Sequence, residues 1–148
     1  MLEELNKRKA YHICLYPEYE LKIGEEYNTN SICRNHSDVA GSKADIEAKF
    51  EEFRLGNCSS LPSRKTCFYI CTDYTIDYWI RTLTKKTSGE VEYKVFEIEL
   101  NGHVFWADSI CFSEEDEKEY WKGCACDEHI PTEGLFTGIF VVLRECKA

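Results

Sequence analysis

Four side chains with chemical potential stand at element ends in this sequence. His12 lies in Tyr11-His12-Ile13-Cys14, Tyr69 in Cys67-Phe68-Tyr69-Ile70-Cys71, Tyr78 one helix further on, and Glu133 in Pro131-Thr132-Glu133. An imidazole, two phenols and a carboxylate can hydrogen-bond a polar ligand, stack on a planar ring and oppose a positive charge. Each residue also has a plain structural reading: a histidine near a strand end, two tyrosines packed under the Asn28–Ser42 loop, a surface glutamate. A second constellation is Cys124-Ala125-Cys126 with His129, to which Cys111 could add a fourth metal ligand. Structural zinc sites normally show two paired knuckles, and this spacing offers one irregular knuckle. Cys67 and Cys71 are weak candidates for a nucleophile, because nothing local supplies a partner base.

Composition narrows the classes. The chain has 148 residues, 43% hydrophobic and 30% charged, which fits one globular domain spanning 1–148. The net charge of −9 argues against a nucleic-acid surface, which needs clustered Lys and Arg. Much of the acid sits in Glu51-Glu52 and Glu114-Glu115-Asp116-Glu117, runs that read as solvated helix faces. Met1 to Ala10 has no apolar core of a signal peptide, and the longest apolar run, Ile139 to Leu143, is far short of a membrane span. The expectation is a cytoplasmic chain with no membrane contact and its nine cysteines reduced, Cys14, Cys67 and Cys71 among the buried ones.

The elements that must position these residues follow from periodicity. Tyr11–Tyr16 reads as a strand stopped by Pro17, and Leu21–Gly24 as a turn into a short segment ending near Tyr27. Ser42 or Lys43 opens a helix with Ile46, Phe50 and Phe53 on one face and Gly56 as its stop. Thr66–Cys71 alternates, with Phe68 and Ile70 on one face and Cys67, Tyr69 and Cys71 on the other. Thr72 reads as the N-cap of a helix whose stripe is Ile76, Trp79, Ile80 and Leu83, with Tyr74 and Tyr78 opposite. Val91–Leu100 is a predicted strand with a bulge near Val95 and Phe96, and Asn101-Gly102 a predicted hairpin turn into Val104–Ala107. A short acidic helix after Ser113 and an apolar strand Leu135–Leu143 complete an α+β plan with two or three helices and mostly antiparallel pairing.

A His, a Tyr and a Glu, each on its own strand in this order, resembles the His-Tyr-Glu branch of the ADP-ribosyltransferase fold. Within it the chain is most similar to an uncharacterised bacterial group of the DUF2441 type. The resemblance implies a split sheet with NAD as co-substrate in the cleft, His12 on the adenosine-side ribose, and Tyr69 and Tyr78 clamping nicotinamide. It also implies that Glu133 is the catalytic carboxylate, favouring the cationic transition state as nicotinamide leaves. ADP-ribose would then pass to an unknown acceptor, a protein or a small molecule. Ile13 and Cys14 stand where that family usually has Gly or a small hydroxyl residue, and Pro131 where acceptor-specific enzymes have Gln or Glu. The alternative implied by these departures is an inactive member that binds a nucleotide or a protein. The implied arrangement brings His12, Tyr69 and Glu133 to one cavity.

Overall fold

The computed structural model describes residues 2–15, 20–32, 42–85, 93–127 and 129–146. The order is β1 (Leu2–Leu15), β2 (Glu26–Asn28), α1 (Ser42–Asn57), β3 (Phe68–Ile70), α2 (Ile76–Lys85), β4 (Tyr93–Asp108), α3 (Ser109–Ser113), α4 (Glu117–Tyr120) and β5 (Thr132–Cys146). The fold is α+β with antiparallel pairing, as expected, and it has four helices among the described residues because α3 and α4 are separate single turns. All five strands belong to one sheet in the order β1-β4-β5-β2, with β3 beside β2 on the outer edge of β5. The resemblance implies a split sheet with a cleft; the described strands are hydrogen-bonded into one sheet.

The sheet curls until its ends meet. Tyr11 of β1 and Cys71, the residue after β3, exchange backbone hydrogen bonds of 2.8 and 2.9 Å. The curl encloses Leu5, Ala10, Cys14, Phe68, Ile70, Phe96, Ile98, Leu100, Val104, Phe136, Phe140 and Val142. Outside, α1, α3 and α4 cover Phe105, Ala107 and Leu135 with Phe50, Tyr120 and Trp121. The alternation read in Thr66–Cys71 is therefore real: Phe68 and Ile70 face inward, Cys67 and Tyr69 outward. Cys14, Cys67 and Cys71 are buried, and none of the eight described cysteines is in a disulfide. The loop expectation for Asn28–Ser42 falls largely on 33–41, outside the described residues.

Three expectations about elements change. β1 starts at Leu2, well before Tyr11, because Leu2–Ala10 is an outer strand whose charged side chains stay in water. A bulge after Leu5, with Lys7 at φ 51°, breaks its alternation. Thr72 is not the N-cap of α2: the helix begins at Ile76, and the Thr72 hydroxyl meets no partner among the described residues. Asn101-Gly102 is no hairpin turn, since β4 runs unbroken from Tyr93 to Asp108. Gly102 instead faces Gly138 of β5, both at positive φ (154° and 144°), and a Cβ on Gly102 would lie 2.3 Å from the Thr137 carbonyl oxygen. The glycine serves a close approach of two strands, and Asn101 turns its side-chain oxygen to the Lys7 amide at 3.0 Å, capping the bulge. The expected bulge exists, two residues later than read, between Glu97 and Ile98.

Gly102→Ala therefore costs about 1–3 kcal/mol of stability, because backbone atoms rather than flexible side chains occupy the new methyl's place. Urea unfolding should show a lower midpoint at unchanged slope.

Candidate functional site

The α1 stripe Ile46, Phe50 and Phe53 packs down on the outer face of the sheet. That packing also turns Glu47, on the flank of the stripe, toward the segment that leads into β3. Arg64 lies there with its side chain 11% exposed, and Glu47 takes it in two parallel bonds of 3.0 Å each. Nη1 of Arg64 donates to the Tyr120 hydroxyl of α4 at 2.6 Å and to Oε1 of Glu133 on β5 at 2.9 Å. The Tyr120 hydroxyl in turn donates to the same Glu133 oxygen at 3.3 Å. The guanidinium lies 3.9 Å over the Phe112 ring and 5.4 Å from that of Tyr69. Tyr69 closes the set by donating its hydroxyl to the Arg64 carbonyl at 3.1 Å.

Electrostatics follow from this enclosure. Burial taken alone would weaken the hold of Arg64 on its proton. Glu133, the two tyrosines and the Glu47 bonds outweigh it and raise the pKa well above its ordinary value. Burial pushes both Tyr69 and Tyr120 well above the usual phenol value, against the opposing pull of Arg64. The arrangement is thus one fixed cation, two carboxylates and two neutral phenols. Its chemistry is that of a clasp. The cation holds the carboxylates, and each guanidinium nitrogen of Arg64 and both tyrosine hydroxyls donate within the cluster.

The structure gathers two of the four expected residues here. Tyr69 pairs with Leu135, two residues beyond Glu133, so Tyr69 and Glu133 are diagonal neighbours on the outer face. His12 is on the other face: it pairs with Phe96 of the interior, stacks on Phe68 at 3.9 Å and is 3% exposed. Its Nδ1 lies 2.7 Å from the Tyr69 carbonyl oxygen, a backbone contact across the end of the sheet. The common cavity for His12, Tyr69 and Glu133 is therefore not formed. The sheet itself stands between the imidazole and the carboxylate. Tyr78 is 38% exposed on α2 and meets Trp79 edge-on at 5.2 Å, whereas Tyr69 is turned toward Arg64.

The residues the sequence reading passed over are Arg64, Glu47 and Tyr120. No local signal marked them: Glu47 flanks the buried stripe of α1, and Lys43 four residues before it offers an ordinary helical pairing. For the metal reading, no three or more His, Cys, Asp or Glu side chains gather to hold an ion among the described residues. Burial pushes the Cys124 and Cys126 thiols up to about 11 and Cys71 up to about 12, which keeps them protonated and poorly nucleophilic at neutral pH. No helix among the described residues is long and apolar enough to cross a membrane.

Comparison with known proteins places this architecture. Residues 3–148 match the family described as "Protein of unknown function (DUF2441)". The chain belongs to that family. No curated protein matches it. The DUF2441 match spans β1 to β5, so the Arg64 clasp lies wholly within the family's extent.

The raised tyrosines give a pH signature. A phenol whose folded pKa exceeds its unfolded value contributes stability that is complete below pH 10.0, the ordinary value, and lost as the pH climbs above it. Phenolate absorbance should show Tyr69 and Tyr120 staying protonated until the chain unfolds cooperatively in alkali. Smooth titration of all nine tyrosines without unfolding would contradict the enclosure.

Proposed function

We propose that this DUF2441 domain is a non-catalytic binding module whose partner is a protein presenting lysine and arginine side chains. The observation that supports a non-catalytic role is the state of Glu133. A carboxylate that favours a developing cation must face the substrate with its charge available. Here Arg64 and Tyr120 occupy it at 2.9 and 3.3 Å, on the face opposite His12.

The partner class rests on α2 and the turn before it. Asp73-Tyr74 and Asp77-Tyr78 repeat one helical turn apart, and all four residues are exposed. Neither aspartate has an ion-pair partner among the described residues. An exposed carboxylate beside an exposed phenol suits a lysine or arginine head group, by charge and by cation–π contact. The overall charge of −9 steers the same partners and repels polyanions.

A second reading, ADP-ribosyl transfer from NAD to an unknown acceptor, keeps one supporting observation. Tyr69 and Glu133 gather about a single guanidinium, in the strand order that the resemblance implies. In that reading Glu133 is catalytic, and His12, Tyr69 and Tyr78 bind NAD.

Two titrations separate the readings. With NAD, calorimetry should show no binding and no nicotinamide should be released, alone or with lysate as acceptor; release would establish the transferase. With a lysine- and arginine-rich peptide, Trp79 fluorescence should report binding that weakens with salt. Tyr74→Ala with Tyr78→Ala should reduce it about tenfold, two exposed cation–π contacts being worth ~0.5–1 kcal/mol each. Unaltered affinity in that variant would remove α2 as the binding face.

A further inference from the structure

The curled sheet is unevenly sewn. β4 pairs with β1 and with β5 along nearly its whole length. Among the described residues, the backbone hydrogen bonds between β1 and the β3 side are the two between Tyr11 and Cys71. Beside them the His12 ring lies 2.7 Å from the Tyr69 carbonyl oxygen and stacks on Phe68, and α2 packs against β1. β3 itself is three residues long.

The same place carries a polar cost. The hydroxyls of Thr72 and Thr75, immediately after Cys71, are buried without a hydrogen-bond partner among the described residues. A buried hydroxyl left unpaired loses its hydration with nothing in return. Water reaching the seam would satisfy both, so opening regains part of what the broken bridge loses.

We propose that the β1–β3 seam is a built-in gate: it opens locally while β1, β4 and β5 stay paired, parting His12 from Tyr69 and admitting solvent to the interior. The few bonds across the seam, the shortness of β3 and the two unpaired hydroxyls all act in this direction. The unit that moves is β3 with the turn into α2, since β1 is held by its long pairing to β4. The moving turn carries Asp73 and Tyr74 of the proposed partner-binding face, whereas the hydrogen-exchange test below needs no partner and fails or succeeds apart from that reading.

Native-state hydrogen exchange with increasing urea tests it on the wild-type chain. The amides of Tyr11 and Cys71, each bonded across the seam, should exchange at least about tenfold faster than β4 amides bonded to β5, by an opening whose urea dependence is clearly smaller than that of global unfolding. A disulfide staple gives a second arm. Tyr11 and Cys71 are a hydrogen-bonded antiparallel pair, whose Cα separation of about 5.5 Å suits a disulfide. Oxidised Tyr11→Cys should therefore slow exchange of the Ile70 and Thr72 amides relative to its reduced form. Seam amides that exchange only through the urea-dependent global route overturn the gate, as does a staple that leaves those amides unchanged.

Discussion

A guanidinium keeps its charge in any protein environment, so Arg64, buried against the outer face of the sheet, commits everything around it. Glu47 fixes the roll of α1, Tyr120 fixes the place of α4, and Glu133 ties both to the first turn of β5. Phe112 of α3 covers the plane of the cation, and Tyr69 holds the backbone that carries it. Elements far apart in sequence thus meet at a single charge. The helices cover the sheet through the apolar cluster of Phe50, Phe105, Tyr120 and Trp121, and the clasp sets how that cover is oriented.

The interior has a different logic. Aromatic rings stack in a row, with His12 on Phe68 at 3.9 Å and Phe68 on Phe140 at 4.5 Å. The histidine takes part in this row as a flat ring, with its Nδ1 against the Tyr69 carbonyl oxygen. Two faces of one sheet therefore use their polar residues in opposite ways. The outer face concentrates charge in a closed network, and the inner face dilutes one imidazole among apolar neighbours.

Much of the local structure was legible, because β3 and α1 carry periodicities of 2 and 3.6 residues and the last strand is a nearly continuous apolar run. The tertiary choices were not. Asn101-Gly102 has the composition of a hairpin turn, but the chain uses the glycine to let β4 pass close to Gly138, a demand visible only when the partner strand is known. The expected first strand began only at Tyr11, because the charged residues before it show almost no apolar alternation, their side chains lying in water. Tyr69 and Glu133 were found by their strand settings and do come together. The Arg64 between them was hidden in a loop, where nothing local distinguishes a buried arginine from a solvated one. The shared cavity for His12 came from the resemblance alone, and nothing local in Tyr11–Cys14 says which face of β1 the imidazole takes.

The central claim is that Glu133 serves Arg64 rather than a substrate. A double-mutant cycle on stability with Arg64→Met and Glu133→Gln addresses it directly. Glu133→Gln removes one charge from the pair while Glu47 still holds Arg64, so it should cost about 1–3 kcal/mol, and Arg64→Met, which strands two carboxylates, more. The double variant should lose clearly less than the sum, with a coupling of ~1–3 kcal/mol in urea unfolding. Additive losses within about 0.5 kcal/mol would show that the carboxylate and the guanidinium do not depend on each other, contradicting the account.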